Sequence, residues 1–582
     1  MKGNPDLKGK LDLTSDVSFR RELQARLLGQ GEKVLLRVVV SPDFERPVEF
    51  TGRAIVEGAA DLVRSLTQLK ERSVVLLLLP HSPELFLLHV GLVLEGHIPA
   101  ILAWPTNRVD AEKYQRNLVH QLVHLPADRL VTLPELASNL AERLPYQVSG
   151  LQLEVGPDFE KPFPVEPVNE GLERQELPVQ SSNPGKGTLF LQFSGGTTGA
   201  QKAIVVSEAT MTEQLQQLAE ALQFNSSDEV VSWLPMYHDM GLIACFWMPL
   251  WHGATSVQIA ANDWVINPEL LLRYISRYHA SICWLPNFAF SYIGQRREQI
   301  RQEYRLNSVR AWINCSEPVR QRSLAEFHQA FANWGVGKEN LQSSYAMAET
   351  VFAVTQSELG KELTCVPRVE VKRGNQSYKQ LAFDLIDDVY VSSGRTLRKA
   401  ELRIVDADGS ECREGVAGEI HVKTPTLFSG YWGIEGFQTH SLKEGWHATG
   451  DYGFLRDGEL FVIGRFKDLV IVGGNNIFPE DVEGVVNSVE GIRPGRVVAF
   501  GVEDREYGTQ GLGVVAEMKD EFHEKGALLL EATIRKLVLT TIGTAPRYVA
   551  VVPERWIVKS TAGKISRRET RERYLQEILK GE

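Results

Sequence analysis

The chain has 582 residues, 43% of them apolar and 24% charged, and a formal net charge of -11. That length exceeds what one hydrophobic core organises and implies several structural units, while the acidic balance argues against a general nucleic-acid binder. Five cysteines (Cys245, Cys283, Cys315, Cys365, Cys412) stand far apart without a C-x-x-C pair, which suggests neither a disulfide framework nor a zinc cluster and suits a cytoplasmic protein.

The opening residues MKGNPDLKGKLDLTSDV hold no apolar core for a signal peptide, and the most apolar run, VVLLLLP at 74–80, is far short of a membrane span. Residues 52–70 read as a helix, SVVLLLLP as a buried strand, PELFLLHVGLVLEG (83–96) as a helix and IPAILAW (98–104) as a strand. That alternation predicts a parallel sheet with covering helices. A Pro- and Glu-rich stretch at about 155–186 reads as a linker, after which the alternation resumes to about residue 350. From about 385 to 465 short strands and Asp-Gly turns predict a small β unit. After GRFKD (464–468) a fresh α+β pattern begins, with a helix from about 479, strands near 496 and 512, and a helix from about 527. The fold class is therefore α/β, with a large N-terminal domain (1–465) that includes the β unit, followed by a small α+β C-terminal domain (466–582).

One loop carries distinct chemistry. In LQFSGGTTGAQKAIVVS (191–207), Gly195, Gly196 and Gly199 permit backbone angles that turn successive N–H groups inward as an anion nest. Ser194, Thr197 and Thr198 add hydroxyl donors and Lys202 a positive charge, a combination suited to polyphosphate. No Gly-Lys pair is followed by Ser or Thr, so this is not a Walker loop. GLGVVA (511–516) spells a dinucleotide fingerprint but reads as a strand with no helix behind it, and G-x-S-x-G is absent.

Four further stretches follow in order: WINCSEPV (312–319), SSYAMAETV (343–351), GWHATGDYGFL (445–455) and KSTAGKISRRE (559–569). With the loop, this series resembles the adenylate-forming superfamily, whose members condense a carboxylic acid with ATP to give an acyl-AMP. The resemblance covers nearly the whole chain from about residue 50 and implies a mobile C-terminal domain. It places Ser316, Glu317 and Pro318 beside the adenine and Tyr345 as a ring stacked on it, followed by Ala346, Met347 and Ala348, with Cys315 and Ala346 where relatives carry glycine. It makes Glu349 the Mg2+ acid, Asp451 and Arg465 the ribose pair, Lys467 the hinge between domains, and Lys564 the lysine that meets the carboxylate and α-phosphate as they react.

SWLPMYHDMGLI (232–243), WLPNFAFSYI (284–293) and VYVSSGRTLRKAELRIVD (389–406) resemble the fatty-acyl-AMP ligases. That branch carries an insertion after the magnesium-acid stretch, matched here at about 355–385, which in the family braces the two domains and disfavours coenzyme A as acceptor. The resemblance thus implies a fatty acid as substrate and an acyl carrier protein as partner, with no nucleic acid and no membrane span. His238 takes a pocket or gate position, and GLIACFWMPLWHG (241–253) with PNFAF (286–290) an apolar acyl wall. An acyl-CoA ligase for fatty or aryl acids is the alternative; an amino-acid-activating enzyme, suggested by Asp239, and a non-catalytic adenylate-binding protein come after it. From Lys559 onward seven Lys or Arg face four Glu, and SRRETRERY reads as a helix whose Arg567, Arg568, Arg571 and Arg573 would dock an acidic carrier.

Overall fold

The structure, a computed structural model, describes residues 18–66, 69–104, 118, 122, 125, 127–140, 147–151, 184, 185, 187–193, 203–371, 389–433, 436–439, 442–472, 475–504, 509–519, 524–559 and 565–579. Two large sheets share one main apolar core. The eight-stranded sheet places the strand Thr188–Phe193, which leads into the glycine-rich loop, between Ile98–Ile101 and Ala203–Ser207. The thirteen-stranded sheet runs through Ile282–Leu285, Ala311–Asn314 and Leu341–Ala346 as parallel neighbours.

The alternation read from the sequence appears as Gly52–Ser65 (helix), Val74–Leu77 (strand), Pro83–Leu94 (helix) and Ile98–Ile101 (strand). Each helix has a local reason to begin where it does. Thr51 caps the first by accepting from the Ala54 N–H at 3.2 Å. Ser82 precedes Pro83, whose missing N–H is harmless in a first turn, and accepts from Leu85. The two helices cross closely at Gly91, where a Cβ would stand 2.5 Å from the Ala59 carbonyl oxygen. Every residue of the second helix from Pro83 to Val93 is buried, which explains why it lacks a polar face.

Two buried histidines come with this packing. His89 accepts the Trp247 indole N–H through Nε2 at 3.3 Å, and burial lowers its pKa to about 3, that of His81 to about 4. Both are neutral in the fold, whereas the unfolded chain takes up their protons below about 6.5. Stability is therefore indifferent to these groups above that pH and falls as the pH drops below it, by about 1.4 kcal/mol per histidine between pH 7.5 and 5.5. Urea midpoints at the two pH values check this, and His89→Phe is expected to remove its share of the slope.

The described residues from 389 to 465 are rich in β structure, but apart from Val389–Val391, which pairs with Cys365–Pro367, their strands form no separate sheet. The strands Glu401–Val405, Gly418–Lys423, His447–Arg456 and Glu459–Arg465 continue the thirteen-stranded sheet, while Gly430–Gly433 and Gly436–Thr439 extend the eight-stranded one. Sequence pattern reports strands and turns, not the sheet a strand joins, which long-range pairing decides. Asp457 (φ 52) and Gly458 (φ 75) make the tight turn between the last two strands, as the Asp-Gly pair predicts.

Beyond Leu469 the chain builds a three-stranded sheet of Ile492–Asp504, Thr509–Met518 and Tyr548–Val552, with cores of its own. Gly511, Gly513 and Ala516 lie inside the second strand. The helix expected from about 527 is Glu524–Ile542, and the glycines sit mid-strand and not at a strand-to-helix turn, so the fingerprint spelling carries no such site. Among the described residues no helix is long and apolar enough to cross a membrane.

Candidate active site

The parallel strands Ala311–Asn314 and Leu341–Ala346 end at one edge of the sheet, the edge at which open α/β folds bind ligands. Past the first, the Cys315 N–H donates to the Leu285 carbonyl at 3.1 Å, and Ser316 takes a left-handed φ of 71°. The turn that the resemblance assigns to adenine is thus made at Ser316, not at the buried Cys315. Glu317 accepts the Phe288 N–H at 3.0 Å, and Pro318 follows it half-buried. Asn287 pins the same turn: its Oδ1 accepts from Asn314 Nδ2 at 2.9 Å and from the Arg320 N–H at 3.0 Å.

The second strand delivers Tyr345, 8% exposed, whose hydroxyl donates to Asp451 Oδ2 at 2.6 Å. Arg465 Nε lies 3.3 Å from Asp451 Oδ1. These residues meet because Asp451 and Arg465 stand directly opposite in the antiparallel pair His447–Arg456 and Glu459–Arg465. Burial holds the Asp451 carboxyl above its ordinary range against the pull of Arg465, and burial together with Asp451 raises the Tyr345 phenol. Three residues assigned to different parts of a nucleotide are therefore one hydrogen-bonded unit.

After Tyr345 the strand closes with Ala346 and passes Met347 into the short helical turn Ala348–Thr350, which carries Glu349. The Tyr431 hydroxyl donates to Glu349 Oε1 across 3.5 Å, and the Phe428 N–H donates to the Glu349 carbonyl at 2.8 Å. Burial raises the Glu349 carboxyl, and the neighbouring charges of Asp239 and Asp451 push the same way. No ion pair to Glu349 forms among the described residues. A desolvated carboxylate is an oxygen ligand that suits a hard divalent cation such as Mg2+, and among the described residues no cluster of three acids, histidines or cysteines that could hold a metal ion stands around it.

His238 faces Asp239, Nδ1 to Oδ1 2.6 Å, with both side chains largely buried. Asp239 also accepts the Met240 N–H at 2.8 Å and so starts Met240–Trp247, a wide helix with i→i+5 bonding of the kind that gathers at functional sites. The expected acyl wall is mostly core: Met240 to Trp251 are buried, and Gly241 is held where a Cβ would stand 2.3 Å from the Pro235 carbonyl oxygen. Phe288, 37% exposed, reaches the surface.

Ser194, Gly195, Gly196, Thr197, Thr198, Gly199, Lys202 and Lys564 lie outside the described residues, as does the later part of the expected insertion, 372–388. Within the expected insertion Cys365–Pro367 pairs antiparallel with Val389–Val391, which lies just beyond it. Lys467 falls in the short turn Phe466–Asp468, its side chain outside the described set. The docking role read for Arg567 is overturned. Its guanidinium points inward to Asp468, to Glu480 at 3.1 Å, to Glu483 at 2.9 Å and to the Ala499 carbonyl at 2.9 Å. Arg568 and Arg573 pair along their helix with Glu572 and Glu577 at 2.8 and 3.0 Å. A basic count in sequence does not reveal charges neutralised at i+4 or drawn inward.

Sequence reasoning missed Asn287, Tyr431 and Gln192. The available signal for Gln192 was an amide within the otherwise apolar TLFLQF, two residues before the loop; Asn287 and Tyr431 gave none, because their roles arise from contacts across the fold.

The chain belongs to the AMP-binding enzyme family, whose model matches residues 33–432. Among curated relatives, the "Long-chain-fatty-acid--AMP ligase FadD32" of Mycolicibacterium smegmatis is 29% identical over 69% of this chain and 71% of its own. A putative acyl-CoA synthetase of Caulobacter vibrioides is 30% identical, covering 66% of this chain and 68% of its own. JamA of Moorena producens, a medium-chain-fatty-acid–acyl-carrier-protein ligase, is 27% identical over 67% and 68%. A fatty acyl-adenylate ligase from a study of the E. coli and L. pneumophila enzymes shares the fold, with a TM-score of 0.77 at 20% identity over 97% of this chain and 98% of that one.

Proposed function

We propose that this enzyme activates a fatty acid with ATP to an acyl-AMP, releasing pyrophosphate, and then passes the acyl group to the phosphopantetheine thiol of an acyl carrier protein. The observation that carries the reading is the Tyr345–Asp451–Arg465 unit beside Glu349 at the strand edge. In the first half-reaction a carboxylate oxygen bonds to the α-phosphorus as the bond to pyrophosphate breaks. In the second a thiolate bonds to the acyl carbon as AMP leaves. Both first-step reactants are anions, so Lys202, Lys564 and the loop donors offset their repulsion. Mg2+, held by Glu349, supplies further positive charge at the phosphates when bound.

The carrier protein as acceptor is supported by JamA among the relatives and by a tie between the insertion and the C-terminal unit: Arg368, just past the strand Cys365–Pro367, forms a buried ion pair with Asp481. We place the boundary between the two domains at Arg465–Asp468, with Lys467 as hinge. The test is acid-dependent pyrophosphate release across fatty, aryl and amino acids, followed by thioester yield from holo carrier protein and from coenzyme A. Better transfer to free coenzyme A would make the acyl-CoA ligase reading the correct one. Glu349→Ala is expected to weaken metal-dependent activity about tenfold or more, with recovery as Mg2+ is raised; a loss that no Mg2+ concentration relieves contradicts the ligand role.

A further inference from the structure

The turn that carries Glu349 is strained. Val351 has φ 66° and ψ -51°, a tight-turn conformation rare for any residue and disfavoured for a β-branched one. Such a residue persists only where its surroundings over-determine it.

One transverse row of the eight-stranded sheet does much of that. Gln192 stands opposite Ile204, and Ile204 opposite Tyr431, on three adjacent strands. Ile204 packs in one apolar cluster with Ala348 and Phe428, and Tyr431 reaches Glu349 itself. Gln192 is the polar end of the row. It is 4% exposed, and its Nε2 donates to the Ala348 carbonyl at 2.9 Å and the Val351 carbonyl at 3.0 Å. These two carbonyls bracket Glu349, so both amide hydrogens close on the turn from either side. Gln192 also lies in the strand Thr188–Phe193, which runs directly into the glycine-rich loop at Ser194.

We infer that Gln192 is a positioning residue that fixes the strained Glu349 turn against the strand Thr188–Phe193. The inference rests on the adenylation reading above. A glutamine is suited to the task because a carboxylate at the same place would face two carbonyl oxygens, and an aliphatic chain would take the side-chain donor from the Val351 carbonyl and leave the Ala348 carbonyl with the Val351 N–H at 3.1 Å. Released, the turn relaxes toward an ordinary φ at Val351 and moves Glu349 with it.

The test compares wild type with Gln192→Met, Gln192→Glu and Gln192→Met combined with Val351→Gly. Glycine adopts positive φ without strain, so it lets the turn keep its shape when the amide is gone. Three quantities are read: the melting temperature of the unliganded protein, the rise in that temperature caused by ATP with Mg2+, and kcat and KM for acid-dependent pyrophosphate release. Gln192→Met is expected to lower kcat at least tenfold with KM for the acid within twofold, and to lose at least half of the nucleotide-induced rise. Gln192→Glu is expected to do more. The Val351→Gly combination is expected to recover threefold or more of the kcat lost. A Gln192→Met enzyme with wild-type kcat and wild-type nucleotide response overturns the inference, and so does a loss that Val351→Gly does not relieve. Wild type that releases no pyrophosphate with any acid counts against the adenylation reading instead; the nucleotide response then still decides the role of Gln192.

Discussion

Lys564→Ala is expected to cut acid-dependent pyrophosphate release at least a hundredfold while the melting temperature stays within a degree or two, because a positioned charge facing a developing anion is worth about 3 kcal/mol or more of barrier. The fold around it gives reason to expect a local effect. Residues 559 and 565 form an antiparallel bridge, the Ser566 N–H donates to the Val558 carbonyl at 2.9 Å, and Arg567 is locked among acids. The base of the loop is fixed without the lysine. Thioester formation from acyl-AMP supplied ready-made is expected to be spared, since the proposed work of Lys564 is to meet the carboxylate and the α-phosphate in the first half-reaction. Pyrophosphate release within threefold of wild type would sink the assignment.

Arg368→Ala is expected to be the most destabilising single change outside the apolar cores. The guanidinium and the Asp481 carboxylate are 4% and 5% exposed, and the arginine also lies over the Tyr390 ring at 4.7 Å. Withdrawing one charge of a buried pair costs about 3–5 kcal/mol, whereas replacing both by neutral groups of similar size costs far less. Urea unfolding is expected to show that loss for Arg368→Ala and a partial recovery for Arg368→Met with Asp481→Leu. If this tie is what keeps the C-terminal unit from accepting coenzyme A, the same variant makes more coenzyme A thioester relative to carrier-bound product. An unfolding midpoint and an acceptor ratio both equal to wild type would remove the brace from the reading of this insertion.

The helices and strands of the first hundred residues were legible because apolar periodicity and caps act locally: Thr51, Ser82 and Pro83 mark helix starts that need no partner elsewhere. Asp451 and Arg465 were assigned by resemblance, and their direct opposition shows why they come together: a short hairpin with an Asp-Gly turn fixes its own register. What could not be read was anything settled between distant segments. The strands after residue 400 gave no sign that they would extend two existing sheets. Gln192 acquires its role only from the Ala348 and Val351 carbonyls, which lie 156 and 159 residues away in the chain. Arg567 looked like surface charge until Asp468, Glu480 and Glu483 closed around it.

The thirteen-stranded sheet has one more consequence. Its backbone ladder contains the strands that bear the adenine turn and those that bear the ribose pair, while the loop-feeding strand belongs to the other sheet. A nucleotide bound as proposed therefore bridges two slabs, each internally cross-linked by its own ladder and joined to the other near the site by the contacts of Gln192 and Tyr431, the Phe428 N–H bond to the Glu349 carbonyl and the Ile204–Ala348–Phe428 cluster. Opening of the site is then cheapest along that seam, without unzipping either ladder. Hydrogen exchange would sense a bound nucleotide first at the amides bordering the seam, around Ala348–Val351 and Gly430–Trp432, and last at the strands within each slab.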